Sequence, residues 1–427
     1  MRLNHLKDSL SSGALLDSFK KAYVTEEFSK AQYDRYVKTA ESFAEVYGNY
    51  DREIALFSAP GRSEVCGNHT DHNHGCVLAA GISLDAIAVA SKNNKNIVNI
   101  KSAGYKMDSV RCDDLEVNPE DNGRSKALVR GVMARFVELG YNIGGFDATT
   151  SSMVLSGSGL SSSAAFEVLV GTMLNYLFND GKISPVEIAQ IAQYAENVHF
   201  GKPCGLMDQM ACSVGGFVEI DFNDPKNPVI NKVDFDFANC GHSLVIVDTK
   251  GSHSDLTDEY AAVRTEMEQV AQVFGKKVLR EVDENEFMSN ISLVREKVND
   301  RAVLRAIHFF NDSKRVACEV AALRDGDFEK FKELIIESGN SSYKYNQNVY
   351  ACKKPLDQPV SLALSLSECV LKGKGAWRVH GGGFAGTIQA FVPDALLDDY
   401  ITTMKSVFGD DSCYVLSIRP VGGIQIV

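Results

Sequence analysis

Pro60-Gly-Arg62 opens a stretch in which chemically able side chains crowd together: Arg62, Glu64, Asn68, His69, Asp71, His72 and His74 all fall within Ala59 to Leu78. His69, Asp71, His72 and His74 are competent zinc ligands, which is one reading. The same amide, carboxylate and imidazole groups also suit the floor of a pocket for a polyhydroxylated ligand. A solvated turn is the third. These residues alone leave all three open.

The run Leu155-Ser-Gly-Ser-Gly-Leu-Ser-Ser-Ser-Ala-Ala165 points to anion binding. Gly157 and Gly159 tolerate positive φ, so successive N–H groups can converge on an oxyanion. A helix predicted from about Ser162, with Phe166, Leu169, Val170 and Leu174 on its apolar positions, adds first-turn N–H groups and a positive dipole end. An ordinary Gly/Ser turn capping a helix would look similar.

Two acidic residues stand out further on. Ser184-Pro-Val-Glu187 is a capping box with proline at the first helical position, so a helix is expected to about His199, with Ile188, Ile191, Ala192 and Ala195 as its buried stripe. Glu196 sits near the end of that helix, where the dipole disfavours an acid; it is either solvated or serves a cation. Gly201 to Met210 reads as a turn delivering Asp208 among Met207, Met210 and Ala211, as a candidate base or a helix N-cap. Gly375 to Gly386, with five glycines and Ala385, implies close backbone approach before a strand at 387–392.

The remaining elements must position these groups. Residues 1–50 read as amphipathic helices, with Leu15, Leu16, Phe19 and Tyr23, then Tyr36, Ala40, Phe43 and Val46, spaced by three or four. Strands are expected at 54–58, 77–84, 86–90, 97–100, 217–221 and 243–248. Helices are expected at 127–139, 255–274, 301–311, 314–322, 327–338 and 358–371. In the 255–274 helix Tyr260 shares a face with Leu256, Val263, Met267 and Val270 and reads as core. This is an α+β alternation without regular βαβ spacing. Asn223-Asp-Pro-Lys-Asn-Pro228 is the best linker, which sets a boundary near 230 and two domains, 1–230 and 231–427.

Composition narrows the partners. The net charge of −12 and the absence of a Lys/Arg run argue against nucleic acid and anionic membranes. No apolar window approaches the roughly 18 residues of a membrane span, and the N-terminus turns polar too soon for a signal peptide, so a cytoplasmic protein is expected. The ten cysteines are scattered without a Cys-x-x-Cys pair and read as reduced thiols.

Taken together, Pro60-Gly-Arg62 with Gly67-Asn-His-Thr-Asp-His-Asn-His-Gly75, Gly159-Leu-Ser-Ser-Ser-Ala164, Pro203-Cys-Gly-Leu-Met-Asp-Gln209 and Gly381-Gly-Gly-Phe-Ala-Gly386 resemble the motifs of the galactokinases in the GHMP small-molecule kinase family. The resemblance implies a two-domain α+β GHMP kinase fold with its active site in the interdomain cleft. It also implies a sugar 1-kinase using ATP and Mg2+, working as a monomer on a small sugar. By matched position, Arg62 and Asp208 would be the catalytic pair beside the sugar C1 hydroxyl. Ser162 and Glu196 would hold Mg2+. Gly157, Ser158, Gly159, Leu160, Ser161, Ser162 and Ser163 would wrap the triphosphate. Asn68, His69, Asp71, Gly205 and Tyr260 would join Arg62 and Asp208 in binding the sugar, which moves Tyr260 from core to site and sets the zinc reading aside. The absence of a P-loop lysine motif fits a family that cradles phosphate without one.

Four positions depart from the family pattern. Asn68 stands where the family has Glu, His72 where it has Tyr, and His380 and Ala385 where Thr and Gly are usual. The family Glu accepts a hydrogen bond from the sugar 6-hydroxyl, and losing its charge would admit a C6 carboxylate. Galactose is therefore the expected substrate, with galacturonate or another galactose-like sugar as the alternative. A sugar- and ATP-sensing regulator without catalysis is a further class; the intact Ser163-Ala164 and Asp208 speak against it.

Overall fold

The structure is a computed structural model of the chain that describes residues 1–48, 51–154, 159–251 and 256–427. Its strands are, in chain order, β1 (Ala55–Cys66), β2 (Cys76–Lys92), β3 (Ile97–Ser102), β4 (Met107–Arg111), β5 (Phe146–Ser152), β6 (Phe217–Asp221), β7 (Val229–Val233), β8 (His242–Asp248), β9 (Ala376–Val379), β10 (Thr387–Pro393), β11 (Cys413–Leu416) and β12 (Ile424–Gln425). Two compact units result: residues 1–62, 81–216 and 419–427 form the first, and 63–80 with 217–418 the second. The linker composition set one boundary near 230, whereas the chain passes between the units at four points. Strand length is the reason. β1 has 12 residues and β2 has 17, and each begins in one unit and ends in the other.

In the first unit the strands follow the order β12-β1-β2-β5-β3-β4. β3 and β5 are parallel; β2 and β5 are antiparallel. The N-terminal segment is helical, as its periodicity predicts, in Leu6–Ser11, Leu16–Tyr23, Glu26–Ala31 and Tyr33–Tyr47. Phe19, Tyr23, Tyr36, Ala40 and Phe43 bury their apolar faces with Leu56, Ile87, Val89 and Ile426. The helix Ser162–Phe178 is buried nearly all round, as expected of one with so few polar positions.

In the second unit Cys76–Ala80 of β2 pairs with β6, and β6 with β7. A separate four-stranded sheet runs β11-β8-β10-β9. Val245, Val247, Ile388, Ala390 and Val392 of that sheet share a core with Val360, Ala363 and Leu371 of the helix Pro359–Leu371. A second core gathers Val263, Met267 and Val270 of Thr257–Val273 with Ala302, Ala306 and Phe309.

Three differences from the sequence expectations share a cause. The pieces at 77–84 and 86–90 are one strand, because Asp85 is not a turn residue. It is fully buried and receives hydrogen bonds from Tyr23 at 2.6 Å, Arg35 at 2.8 Å, Arg419 at 3.2 Å and Ser58. β1 does not stop at Pro60-Gly61; Gly61 serves close approach, since a Cβ there would lie 2.8 Å from the Leu160 carbonyl oxygen. The helices at 301–311 and 314–322 are one 25-residue helix, Asp300–Arg324, because the polar Asp312 in its middle is buried and bonded to another segment. In each case a residue that looks like punctuation is a tertiary anchor.

Asp85 is a test of that view. Asp85→Ala leaves the fully buried Arg419 without its carboxylate, so unfolding stability is expected to fall by about 3–5 kcal/mol. Denaturant titration checks this, and an unchanged midpoint would refute the anchor assignment.

Candidate active site

Arg62 is the last first-unit residue of β1 and is buried. Its Nε donates to Asp208 Oδ1 at 2.8 Å, its backbone N–H donates to the Leu160 carbonyl at 3.2 Å, and its terminal NH1 donates to the Gly159 carbonyl. One strand end thus holds both the candidate base and the end of the serine loop. Asp208 lies in the first turn of the helix Met207–Val214, where a carboxylate is favoured by the helix dipole. The turn before it, which contains Gly205, is tied to the preceding helical segment. Asn197 accepts the Cys204 N–H at 2.6 Å, and Gln193 donates to the Cys204 carbonyl at 3.2 Å. The Asp208 side chain is 35% exposed. Desolvation pushes its carboxyl upward, but Arg62, Ser161 and Lys202 outweigh that and hold its pKa below the usual carboxylate range.

Ser161 and Gly159 both have positive φ, +60° and +72°. Strain of roughly 1–3 kcal/mol at a non-glycine residue persists only where its surroundings enforce it. Ser161 is the N-cap of Ser162–Phe178, yet its side chain does not cap the helix; it donates to Asp208 Oδ2. Leu160 is fully buried beneath the loop. Gly157 and Ser158 lie outside the described residues.

The serine half of the capping box forms: Ser184 accepts the Glu187 N–H at 3.2 Å and Pro185 begins the helix Pro185–Tyr194, while Glu187 Oε2 accepts from the Tyr141 hydroxyl at 2.7 Å. What the sequence does not show is that the next six residues, Ala195–Phe200, form a π-turn ended by Gly201. Such turns re-aim side chains and recur at functional sites. Glu196 is only 2% exposed. Its Oε2 accepts from Gln209 Nε2 at 2.7 Å, and its Oε1 faces Lys202 Nζ at 3.0 Å and Ser163 Oγ at 3.3 Å. Gln209 also donates to Glu167 Oε2 at 3.2 Å, while the buried Glu167 Oε1 has no hydrogen-bond partner among the described residues. Burial, then the charge of Glu196, pushes the Glu167 carboxyl well up. Glu196 Oε1, with the Ser163 hydroxyl beside it, is a carboxylate–hydroxyl pair of the kind that can hold a divalent cation.

In the second unit the segment 67–74 is held from below. Asp312 Oδ2 accepts the N–H groups of Gly67 at 3.2 Å and Asn68 at 3.0 Å. Burial acts to raise the Asp312 carboxyl, and opposing charge that includes the guanidinium groups of Arg378 and Arg315 outweighs it and keeps it low. His308 Nε2 donates to the Asn68 carbonyl at 2.9 Å, which makes Nδ1 the acceptor for Ser341 at 2.8 Å. Asn68 itself is fully buried. Its Nδ2 donates to Glu64 Oε1 and the Gly381 carbonyl, both at 2.7 Å, and its Oδ1 accepts from Asn348 at 2.7 Å and Ser342 at 3.4 Å. Its amide is therefore engaged on every side by protein.

His69, at φ +60°, donates from Nε2 to the Gly382 carbonyl at 2.9 Å. Asp71 begins the short turn Asp71–Asn73. His72 Nδ1 accepts from Asn73 Nδ2 at 3.0 Å, and its buried Nε2 has no hydrogen-bond partner among the described residues. No group of three or more His, Cys, Asp or Glu side chains among the described residues is arranged to hold a metal. The hydroxyl of Tyr260 donates to the Gly383 carbonyl at 2.9 Å, and its ring packs edge-on against Phe384 at 5.2 Å. Tyr260 thus packs on the core, as its spacing predicts, while its hydroxyl is anchored on the glycine turn. A Cβ on Gly382 would lie 2.6 Å from the Tyr260 ring, and one on Gly383 would lie 2.0 Å from the Asn348 carbonyl oxygen, so this turn admits only glycine there. His380 is buried, with Nδ1 3.0 Å from the Thr387 hydroxyl, and Ala385 is buried in the adjoining core.

The structure brings Arg62, Ser161 and Asp208 together, and beside Glu196 it sets Ser163, Lys202 and Gln209. It gathers Asn68, His69 and Tyr260 on the carbonyls of Gly381, Gly382 and Gly383. Sequence reasoning missed the support: Lys202, Gln209, Glu167, His308, Asp312 and Asn348. Gln209 closes one of the motifs and so carried a readable signal; the others, Asp312 between Asn311 and Ser313 included, carried none.

The chain matches the GHMP kinases N terminal domain over residues 127–216 and the galactokinase galactose-binding signature over residues 41–92. It is 31% identical to the galactokinase of Streptomyces coelicolor over 373 residues, covering 86% of this chain and 92% of that protein. It is 29% identical to the galactokinase of Clostridium tetani, with 84% and 88% covered. The solved structure of Lactococcus lactis galactokinase complexed with galactose superposes with a TM-score of 0.74 at 25% identity, covering 90% of this chain and 98% of that one. The chain belongs to the galactokinase family of GHMP kinases. A mevalonate kinase, 14% identical with a TM-score of 0.61, shares the fold.

His69 offers a test of the second-unit geometry. Burial lowers its pKa to about 4, so its imidazole is expected to stay neutral from pH 8 to 5 in NMR titrations. The unfolded chain takes up that proton near about 6.5, so stability falls as pH drops from there towards 4. His69→Gln should flatten that fall; a His69 resonance titrating near 6.5 would contradict the geometry.

Proposed function

We propose that this chain transfers the γ-phosphoryl group of ATP to the C1 hydroxyl of galactose, giving galactose 1-phosphate and ADP. The observation that carries this reading is the 2.8 Å pairing of Arg62 with Asp208 at the end of the serine loop. Phosphoryl transfer demands alignment and charge neutralisation, and this cluster supplies both. The first-turn amides of Ser162–Phe178 and the loop before it hold the phosphates. Arg62 stabilises charge on the transferring group. Asp208, ionised at pH 7, accepts the C1 hydroxyl proton as that oxygen bonds to phosphorus and the bond to the ADP oxygen breaks.

Mg2+, when bound through Glu196 and Ser162, with Ser163 alongside, neutralises phosphate charge. Lys202 is the cationic partner of Glu196 in this structure. In the sugar segment His69, Asp71 and Tyr260 are the ligand-facing candidates, while Asn68 is a scaffold residue whose amide is already satisfied.

That last point bears on the substrate. A C6-carboxylate sugar was attractive because Asn68 removes a family carboxylate. Glu64 keeps one in contact with the Asn68 amide, which favours neutral galactose. An assembled Arg62–Asp208 pair likewise favours catalysis over a sensing role. A cytoplasmic location and a monomeric working unit belong to the same reading; among the described residues no helix is long and apolar enough to cross a membrane.

Asp208→Asn is expected to lower turnover by about 10²–10⁴-fold with sugar and ATP binding largely kept. Near-normal turnover would discard Asp208 as the base. Initial rates with galactose, galacturonate, N-acetylgalactosamine and arabinose should rank galactose first; a higher rate on galacturonate would reassign the substrate.

A further inference from the structure

Ser161 is an N-cap serine that does not cap. Serine at this position ordinarily accepts an N–H from the first turn of its own helix, from an extended backbone conformation. Here the backbone is left-handed, with φ +60° and ψ +59°, and no side-chain cap bond forms. The hydroxyl is turned instead to Asp208, 47 residues away, on the carboxylate oxygen that Arg62 Nε does not use. A favourable local interaction and a relaxed backbone are both forgone in favour of one long-range contact.

The consequence for the carboxylate is geometric. With Arg62 on Oδ1 alone, the group could still swing about its Cβ–Cγ bond. A donor on Oδ2 fixes the plane, and with it the lone pair that a substrate hydroxyl would meet. A second cation at Oδ2 would fix the plane too, but at the cost of basicity; a neutral hydroxyl does it with less. The serine loop therefore has a task beyond phosphate binding.

We propose that Ser161 is a positioning residue for phosphoryl transfer, its hydroxyl holding the Asp208 carboxylate in the orientation that receives the acceptor's proton. This rests on Asp208 acting as the base. The loop that meets the nucleotide thereby also aligns the group that meets the sugar hydroxyl.

Two substitutions separate this from a structural role. Ser161→Gly removes the hydroxyl and suits the positive φ better than serine, so the fold should be as stable or more so. Ser161→Ala removes the hydroxyl and keeps the Cβ. Both should lose kcat on the order of 10- to 100-fold with the KM values for sugar and ATP little changed, and the glycine variant should melt no lower than the parent. In an Asp208→Asn background, Ser161→Gly should cost nothing further. The inference is overturned if the glycine variant keeps kcat within about twofold of the parent, or if the loss appears only in KM for ATP. Should Asp208→Asn itself turn over normally, it is the assignment of the base that falls. A dead Asp208→Asn beside a fully active Ser161→Gly would remove only the role of Ser161.

Discussion

A guanidinium and a carboxylate 146 residues apart in the chain hold each other at 2.8 Å, and the rest of the first unit can be understood as the means of keeping them there. Arg62 is fixed because it ends the first-unit part of a long strand whose outer side is packed by the N-terminal helices. Asp208 is fixed because the turn before it is tied by Asn197 and Gln193 to the helical segment that also carries Glu196. The serine loop is drawn in by the backbone and side chain of Arg62 and by Ser161. Burial of Arg62 raises the cost of leaving its guanidinium without a carboxylate, so each contact defends the others.

The acidic cluster behind this pair follows a different logic. Glu196 and Glu167 share one amide donor from Gln209, and Lys202 lies against Glu196. A polar cluster with more acceptors than donors is costly in a settled core. It becomes serviceable if a divalent cation binds beside Glu196 as proposed above, because that cation would supply the missing positive charge. The π-turn that presents Glu196 has the same character: a less regular helix end that gains a side-chain direction.

The second unit solves the opposite problem, holding a polar segment still with neutral or internally paired groups. Asp312 takes two backbone N–H groups, His308 takes a carbonyl in its neutral form, and Asn68 bridges Glu64 to the glycine turn. The glycines at 381–383 let three carbonyls in a row accept from Asn68, His69 and Tyr260. A side chain at Gly382 or Gly383 would displace one of those partners.

Much of this was legible in the chain. Amphipathic period placed the N-terminal helices, Ser184-Pro185 started Pro185–Tyr194 at the right residue, and the motifs singled out Arg62 and Asp208 as candidates. Those features are local or carried by residue type, which is what a sequence displays. The sequence could not show that Asp85 and Asp312 are anchors inside regular elements. Nor could it show that Ser161 spends its hydroxyl on Asp208 or that Asn68 is saturated by Glu64, Gly381, Asn348 and Ser342. Each of those depends on a partner far along the chain, and a polar residue declares its role only when folding decides which donor or acceptor lies within about 3 Å of it. The motifs determined which side chains were available for chemistry; long-range hydrogen bonding decided which of them lie together and which are already engaged by the protein.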